Sequence, residues 1–208
     1  MPDLALETAA AATHALQYVA GLDEAGRGAL AGPVVAAAVI LPLHDPDLAT
    51  RLQGVDDSKK LTARQRERLF DVVQRHATSC GIGQAEAAVV DALGILPATR
   101  LAMQAALAQL APQPEYLLID GRIRLRHVPI QQAAIVRGDG RSLSIAAASI
   151  LAKVTRDRLM VAHDAEYPLY GFAQHKGYGT EFHRAMLAAH GPCPIHRRSF
   201  APLRPTLI

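Results

Sequence analysis

Five apolar stretches of the chain have the length and composition of buried strands. They cover residues 18–23, 33–41, 78–86, 116–120 and 132–136. The stretch PVVAAAVIL at 33–41 is apolar throughout and predicts a buried strand. The strands at 18–23 and 116–120 each end on an aspartate, Asp23 and Asp120, and a glycine-containing turn follows each of them.

Helical spacing of apolar residues appears between these strands. Four helices are predicted, at Thr62–His76, Pro97–Leu110, Ser144–Glu166 and Thr180–His190. In the first, Leu69, Val72 and Val73 share one face, and Thr62 is a candidate N-cap. The glycine at 191 and the proline at 192 predict the end of the last helix.

The alternation of strands and helices predicts an α/β fold, with a central sheet and helices on its faces. We expect residues 1–16 to be a flexible leader and residues 17–208 to form one domain. From about residue 160 onwards that domain is expected to be a helical part. Its last segment, from Pro194, contains several prolines and arginines and predicts an arm on the surface.

Composition narrows the class of protein. Half of the residues are apolar, so a core can form without disulfides. Cys80 and Cys193 form no C-x-x-C pattern, which is typical of reduced thiols. No secretory signal and no stretch long enough to cross a membrane is visible. We therefore expect a cytoplasmic protein, and a monomer because no apolar stripe is left unassigned.

Charge is unevenly distributed, although the net charge is only +3. Residues 1–60 carry 4 basic and 8 acidic side chains, whereas residues 121–208 carry 13 basic and 5 acidic ones. A basic C-terminal third beside an acidic N-terminal third fits a phosphate-binding surface next to a carboxylate cluster. A solvated basic face explains the same numbers, so charge alone leaves both interpretations open.

Four acidic residues occupy positions where a site could form. Asp23 and Glu24 follow one strand, Asp120 ends another, and Asp139 lies between glycines just before the long helix. In α/β sheets ligands bind at strand ends. Clustered carboxylates repel unless a cation neutralises them, and such oxygen ligands suit Mg²⁺ or Mn²⁺. The four acids could hold two ions about 4 Å apart, the arrangement used for phosphodiester cleavage.

Competing catalytic motifs are absent from the sequence. There is no G-x-S-x-G elbow, no Walker P-loop and no H-E-x-x-H motif. The Gly26-x-Gly28 pair lacks the third glycine of a dinucleotide fingerprint. The histidines at 175, 183 and 196 do not have the spacing of metal ligands.

The acidic segments belong to a series of motifs that resembles ribonuclease HII, the bacterial type 2 ribonuclease H. The series comprises DEAGRG at 23–28, LAGPV at 30–34, DSKKL at 57–61, IDG at 119–121, GD at 138–139, SIAAASILAKVTRD at 144–157, HKGYGT at 175–180 and HRRSF at 196–200. The resemblance covers about residues 17–202. Ala29 departs from it, because the family often has proline there.

The resemblance implies an RNase H-like fold, with a mixed five-stranded sheet flanked by helices and a C-terminal helical extension. It also implies endonucleolytic cleavage of the RNA strand in RNA–DNA hybrids and of single ribonucleotides embedded in duplex DNA. The cut would fall on the 5′ side of the ribonucleotide and leave a 3′-hydroxyl and a 5′-phosphate.

Roles for individual residues follow from the same resemblance. Asp23, Glu24, Asp120 and Asp139 match the family's metal-binding and catalytic acids, with Asp23 expected to bridge two ions. The Gly26-Arg27-Gly28 segment matches the element that senses the 2′-hydroxyl. Tyr178 matches a tyrosine that packs on the sugar of the following deoxynucleotide. Lys59 and Lys153 lie in family motifs and are candidate phosphate contacts, although a solvated lysine is an equal alternative.

Two other functions stay open at this point. One is an RNase H-like nuclease with another substrate, such as a DNA junction, and the other is a nucleic-acid-binding module without activity. The Gly-Arg-Gly and Gly-Tyr-Gly-Thr segments favour a ribose-specific task, and the presence of all four acids favours activity.

Overall fold

A mixed five-stranded sheet forms the centre of the molecule. The structure is a computed structural model, and it describes residues 1–203. The strands are β1 (Val19–Ala25), β2 (Val34–Ile40), β3 (Ser79–Ala85), β4 (Tyr116–Asp120) and β5 (Gln131–Ile135). Their order across the sheet is β3-β2-β1-β4-β5. β2 pairs antiparallel with both β1 and β3, whereas β4 pairs parallel with both β1 and β5.

Helices surround this sheet. They are α1 (Ala5–His14), α2 (Leu48–Arg51), α3 (Ala63–His76), α4 (Ala87–Leu93), α5 (Ile95–Leu107), α6 (Leu143–Glu166), α7 (Phe172–His175) and α8 (Glu181–His190). The predicted α/β fold with a mixed five-stranded sheet and a C-terminal helical extension is confirmed. Thr62 caps α3 in a capping box with Gln65, as the sequence predicts. The sequence patterns had not indicated α2, α4 or α7.

Both faces of the sheet are covered, which explains the uninterrupted apolar run in β2. Ala36, Ala38 and Ile40 face one core, to which α5 contributes. Ala37 and Val39 face the opposite core, formed with α3 and α6. Successive side chains of a strand point to opposite faces, so a strand buried on both sides loses the alternation of apolar and polar residues.

The N-terminal segment differs from the expected flexible leader. Ala5–His14 forms α1, and the carboxylate of Glu7 is fully buried. Glu7 Oε1 accepts hydrogen bonds from Ser142 Oγ at 2.6 Å, from Ser144 N at 2.8 Å and from Ser144 Oγ at 2.6 Å. Both serines lie at the N-terminus of α6, where a negative charge is favourable. These hydrogen bonds tie α1 to the start of α6, and the two partners are too distant in sequence for a local pattern to reveal the contact.

The C-terminal segment also departs from the expectation of a surface arm. His196 and Arg197 are buried, at 1% and 0% exposure, against the loop of residues 26–33 that joins β1 to β2, hereafter the β1–β2 loop. Arg197 N donates to Leu30 O at 2.8 Å. Residues 204–208 of the predicted arm lie outside the described residues. Along residues 1–203, no helix is long and apolar enough to cross a membrane.

Candidate active site

Three carboxylates meet at one end of the two central parallel strands. β1 and β4 pair in register at Leu22 and Ile119, so Asp23 and Asp120, the next residues, lie side by side. Asp139 joins them from a 3-10 turn, Gly138–Gly140, just before α6. One carboxylate oxygen from each aspartate lies within 4.8 Å of the other two. The predicted meeting of acids at strand ends is therefore present for these three residues.

The turn that carries Asp139 is fixed to β4 by its own backbone. Gly138 N donates a 2.6 Å hydrogen bond to Asp120 Oδ1. Arg137, which precedes the turn, adopts a left-handed conformation with φ of 56°. A β-carbon at Gly138 would lie 3.3 Å from Asp120 Oδ1 and would require the end of the Ile145 side chain in α6 to shift. Glycine at this position thus permits the close approach of the turn to both β4 and α6.

Glu24 stands apart from the three aspartates in this geometry. Its Oε1 accepts a 3.1 Å hydrogen bond from Arg27, while its Oε2 is buried without a hydrogen-bond partner among residues 1–203. Burial raises the pKa of Glu24, and the neighbouring guanidinium of Arg27 partly opposes that shift. An unpartnered buried carboxylate oxygen beside the cluster is one that a cation or a proton would satisfy.

Burial and charge repulsion both raise pKa values within the carboxylate cluster. Burial raises the pKa of Asp23 well above its ordinary value, and the charges of Glu24 and Asp120 add to that effect. Burial likewise raises the pKa of Asp120, with Asp139 contributing. Lys59 Nζ lies 3.0 Å from Asp139 Oδ2 and supplies a nearby positive charge. Buried acids that disfavour ionisation by mutual repulsion are the donor set expected of a divalent-cation site, and these residues fit such an ion.

The cluster opens into a cleft of about 510 Å³. Its lining comprises Asp23, Glu24, Ala25, Gly26, Arg27, Gly28, Ser58, Lys59, Asp120, Ser149, Lys153 and Tyr178. All predicted site residues except Asp139 therefore border one cleft, and Asp139 is joined to it through its ion pair with Lys59. Lys153 is directed to Asp157, with Nζ 2.7 Å from its Oδ1, and lies 5.7 Å from the Tyr178 ring.

Sequence reasoning gave no role to Ser58, Ser149 or Arg156, which lie at or beneath this cleft. Ser149 Oγ hydrogen-bonds to Ser58 Oγ at 2.8 Å, and the Ser149 hydroxyl partly opposes the rise that burial causes in the pKa of Asp23. Arg156 and Arg197 lie beneath the β1–β2 loop and bind its carbonyl groups. Their positions within family motifs were the only signal available, since a buried arginine and an exposed one look alike in a sequence.

Comparison with known proteins agrees with this geometry. The family model described as ribonuclease HII matches residues 20–203. A ribonuclease HII of Chloroflexus aggregans is 55% identical over 97% of this chain and 94% of its own length. That of Syntrophotalea carbinolica is 56% identical over 89% of this chain and 86% of its own.

A solved structure of similar fold is the ribonuclease H2 of Pyrococcus horikoshii. It has a TM-score of 0.74 and 27% identity, over 90% of this chain and 95% of the other. Sequence, fold and the carboxylate cluster converge on one conclusion. The chain belongs to the ribonuclease HII family, a group of hydrolytic endoribonucleases that act on RNA–DNA substrates.

Proposed function

We propose that this protein cleaves the RNA strand of RNA–DNA hybrids and single ribonucleotides embedded in duplex DNA. The cut falls on the 5′ side of the ribonucleotide and gives a 3′-hydroxyl and a 5′-phosphate. One observation carries the proposal. Asp23 and Asp120 of the carboxylate cluster line the same cleft as the Gly26-Arg27-Gly28 turn, whose backbone is suited to contact a ribose.

Asp23, Asp120 and Asp139 would hold divalent metal, with Glu24 Oε2 as a further ligand. Two Mg²⁺ or Mn²⁺ ions bound there would supply an activated water and stabilise the departing oxyanion. The protein's own contribution is rigidity. Asp120 is fixed by Gly138 N, and Asp23 accepts a 2.7 Å hydrogen bond from Glu24 N. These bonds keep the carboxylates in place before substrate arrives, which lowers the cost of reaching the reactive arrangement.

Basic side chains at the rim of the cleft would hold the phosphates. Lys59 is 74% exposed at its side chain and reaches Asp139 at one end of the cluster. Lys153 approaches from α6, on the side of Tyr178. Lys59 is close enough to the carboxylates to offset the repulsion between the acids and an incoming phosphate, and Lys153 lines the same cleft.

Recognition of the ribonucleotide is assigned to two elements of the cleft. Backbone groups of Gly26, Arg27 and Gly28 would contact the 2′-hydroxyl, the group by which a protein distinguishes RNA from DNA. Tyr178, 37% exposed, would pack against the sugar that follows. A ring in that place favours a sugar without a 2′-hydroxyl, so the pair would recognise an RNA-to-DNA junction.

A cleavage assay tests the proposal. The protein is incubated with Mg²⁺ or Mn²⁺ and a duplex that contains one ribonucleotide, with an otherwise identical all-DNA duplex as control. We expect one cut, 5′ to the ribonucleotide, and none in the control. Cleavage of a four-way DNA junction instead would indicate a resolvase, and binding without any cut would indicate a non-catalytic module.

The expected monomer and the expected cytoplasmic location both stay predictions. Gel filtration of the same sample tests the first of them.

A further inference from the structure

The β1–β2 loop is held from inside by Arg197. The side chain of Arg197 is fully buried. Its Nη1 donates to the carbonyls of Gly26 at 2.7 Å, Arg27 at 3.0 Å and Ala29 at 2.9 Å. Its Nε donates to the carbonyl of Gly32 at 3.0 Å. One guanidinium therefore binds four carbonyls of an eight-residue loop, and a planar group with fixed donor directions determines how that loop is folded.

Arg156, on α6, holds the other end of the same loop. It is also fully buried, and it donates to Pro33 O at 2.9 Å and to Ala31 O at 3.0 Å. Its third hydrogen bond, of 2.9 Å, goes to Lys176 O, and its guanidinium lies 5.4 Å from the centre of the Tyr178 ring. Arg156 thus connects the loop to the segment that presents Tyr178.

These contacts determine which backbone groups remain available. The carbonyls of Gly26 and Arg27 are occupied by Arg197, whereas the N–H groups of Arg27 and Gly28 have no acceptor among residues 1–203. Both residues line the cleft, and open space lies where a side chain at Gly28 would project. The loop therefore offers hydrogen-bond donors to whatever occupies the cleft.

Neither buried guanidinium has a carboxylate within 4.0 Å among residues 1–203. Burial and the charge of Arg156 lower the pKa of Arg197 to about 10. Two buried cations paired only with carbonyls are costly. Arg197 Nη2 additionally lacks any hydrogen-bond partner among residues 1–203. A phosphate of a nucleic acid at the loop would bring favourable negative charge toward them.

We propose that Arg156 and Arg197 are positioning residues for ribonucleotide recognition, which hold the β1–β2 loop with its N–H groups toward the cleft and couple it to Tyr178. The proposal rests on the proposed function of that loop. Neither arginine touches substrate; each acts through the backbone that it binds. A lysine keeps the charge but lacks the planar fork, so it separates geometry from electrostatics.

The first test compares Arg197→Lys with Arg198→Lys. Arg198 is the adjacent residue and its side chain is exposed, which makes it a matched control. On a duplex with one ribonucleotide, we expect Arg197→Lys to lower kcat at least tenfold, with KM and the affinity for an all-DNA duplex within threefold of the wild type. Arg198→Lys should match the wild type in all three. A folded Arg197→Lys protein with kcat within threefold of the wild type would overturn the proposal.

A second measurement uses the unaltered protein and does not depend on whether the variant folds. Backbone hydrogen exchange at Arg27 and Gly28 is measured in three samples without divalent metal. These are the free protein, the protein with the all-DNA duplex and the protein with the ribonucleotide duplex. We expect at least tenfold slower exchange only with the ribonucleotide. Equal exchange with both duplexes refutes the inference. If the wild type fails to cleave although exchange slows, the proposed function fails and the positioning inference survives.

Discussion

The substitution Asp23→Asn separates the effect of the carboxylate cluster on protein stability from its effect on catalysis. The substitution removes one charge and keeps an oxygen that can accept the hydrogen bond from Glu24 N. The site contains three carboxylate oxygens within 4.8 Å of one another. We therefore expect the variant to be inactive and, without metal, at least as stable as the wild type.

The magnitudes follow from these distances. At an effective dielectric constant of about 20, two full charges 4.8 Å apart repel by roughly 3.5 kcal/mol. The raised pKa of Asp23 and the proximity of Lys59 to the cluster relieve part of this repulsion in the wild type. A net gain of about 1–2 kcal/mol remains, which corresponds to a rise in Tm of about 2–8 °C for a chain of this size. Losing about 4 kcal/mol of metal-assisted stabilisation lowers the rate about 1000-fold.

The assay pairs thermal unfolding with single-turnover cleavage. Unfolding is measured in a chelator and then with Mg²⁺, which should stabilise the wild type more than the variant because a ligand that binds the native state shifts the equilibrium. Asp71→Asn, on the exposed surface of α3, is the matched control and should change neither quantity. A variant that keeps more than about a tenth of the activity would refute the role of Asp23 in a metal site. A clear fall of Tm in the chelator would refute the repulsion argument.

Three further predictions concern substrate and pH. Tyr178→Ala should slow cleavage of an embedded ribonucleotide more than it weakens binding, because misplacing the scissile phosphate costs rate strongly. It should also reduce the preference for a target followed by DNA over one followed by RNA. If the ratio of cleavage rates on these two duplexes is unchanged, Tyr178 does not recognise the following sugar. Replacing exposed Arg122, Arg124 and Arg126 by glutamine should lower the slope of log affinity against log salt by up to about 3, and an unchanged slope means that they face away from the duplex. Burial lowers the pKa of His196 to about 4. Between about pH 6.5 and pH 4 the unfolded chain therefore binds more protons at this residue than the folded chain does. The free energy of unfolding should fall as the pH drops through this range, by up to about 1.4 kcal/mol per pH unit. Urea unfolding of His196→Gln should show a weaker loss over that range; an equal loss assigns it to other groups.

Sequence patterns correctly predicted those helices and strands whose signals lie within a few consecutive residues. The capping box at Thr62 and the strand Tyr116–Asp120 were recognisable because their signals lie within a few residues. Asp23 and Asp120 could be expected to meet because strands that run parallel bring their ends to one edge of a sheet. The central sheet and the meeting of its acids therefore required no knowledge of distant contacts.

Features fixed by distant partners were missed. α1 is ordered through Glu7, whose acceptor bonds span 135 and 137 residues, and a local reading predicted a flexible leader. His183 and His196 share a buried 2.9 Å contact and have no metal-ligand spacing in sequence. Arginine is rarely buried, so burial of Arg197 had no sequence signal. Long-range hydrogen bonds leave no periodicity behind, which is why sequence patterns did not predict them.

The hydrogen bonds of Arg197 have a consequence for the order in which the protein becomes competent during synthesis. They reach back 165 to 171 residues, from near the end of the chain to the β1–β2 loop. A ribosome therefore delivers all four acids well before it delivers the side chain that folds this loop. Because domains form as the chain emerges, a chain that stops before Arg197 has its carboxylates but lacks the internal support of the β1–β2 loop. The proposed contact of this loop with the 2′-hydroxyl therefore gains its support only after Arg197 has been synthesised.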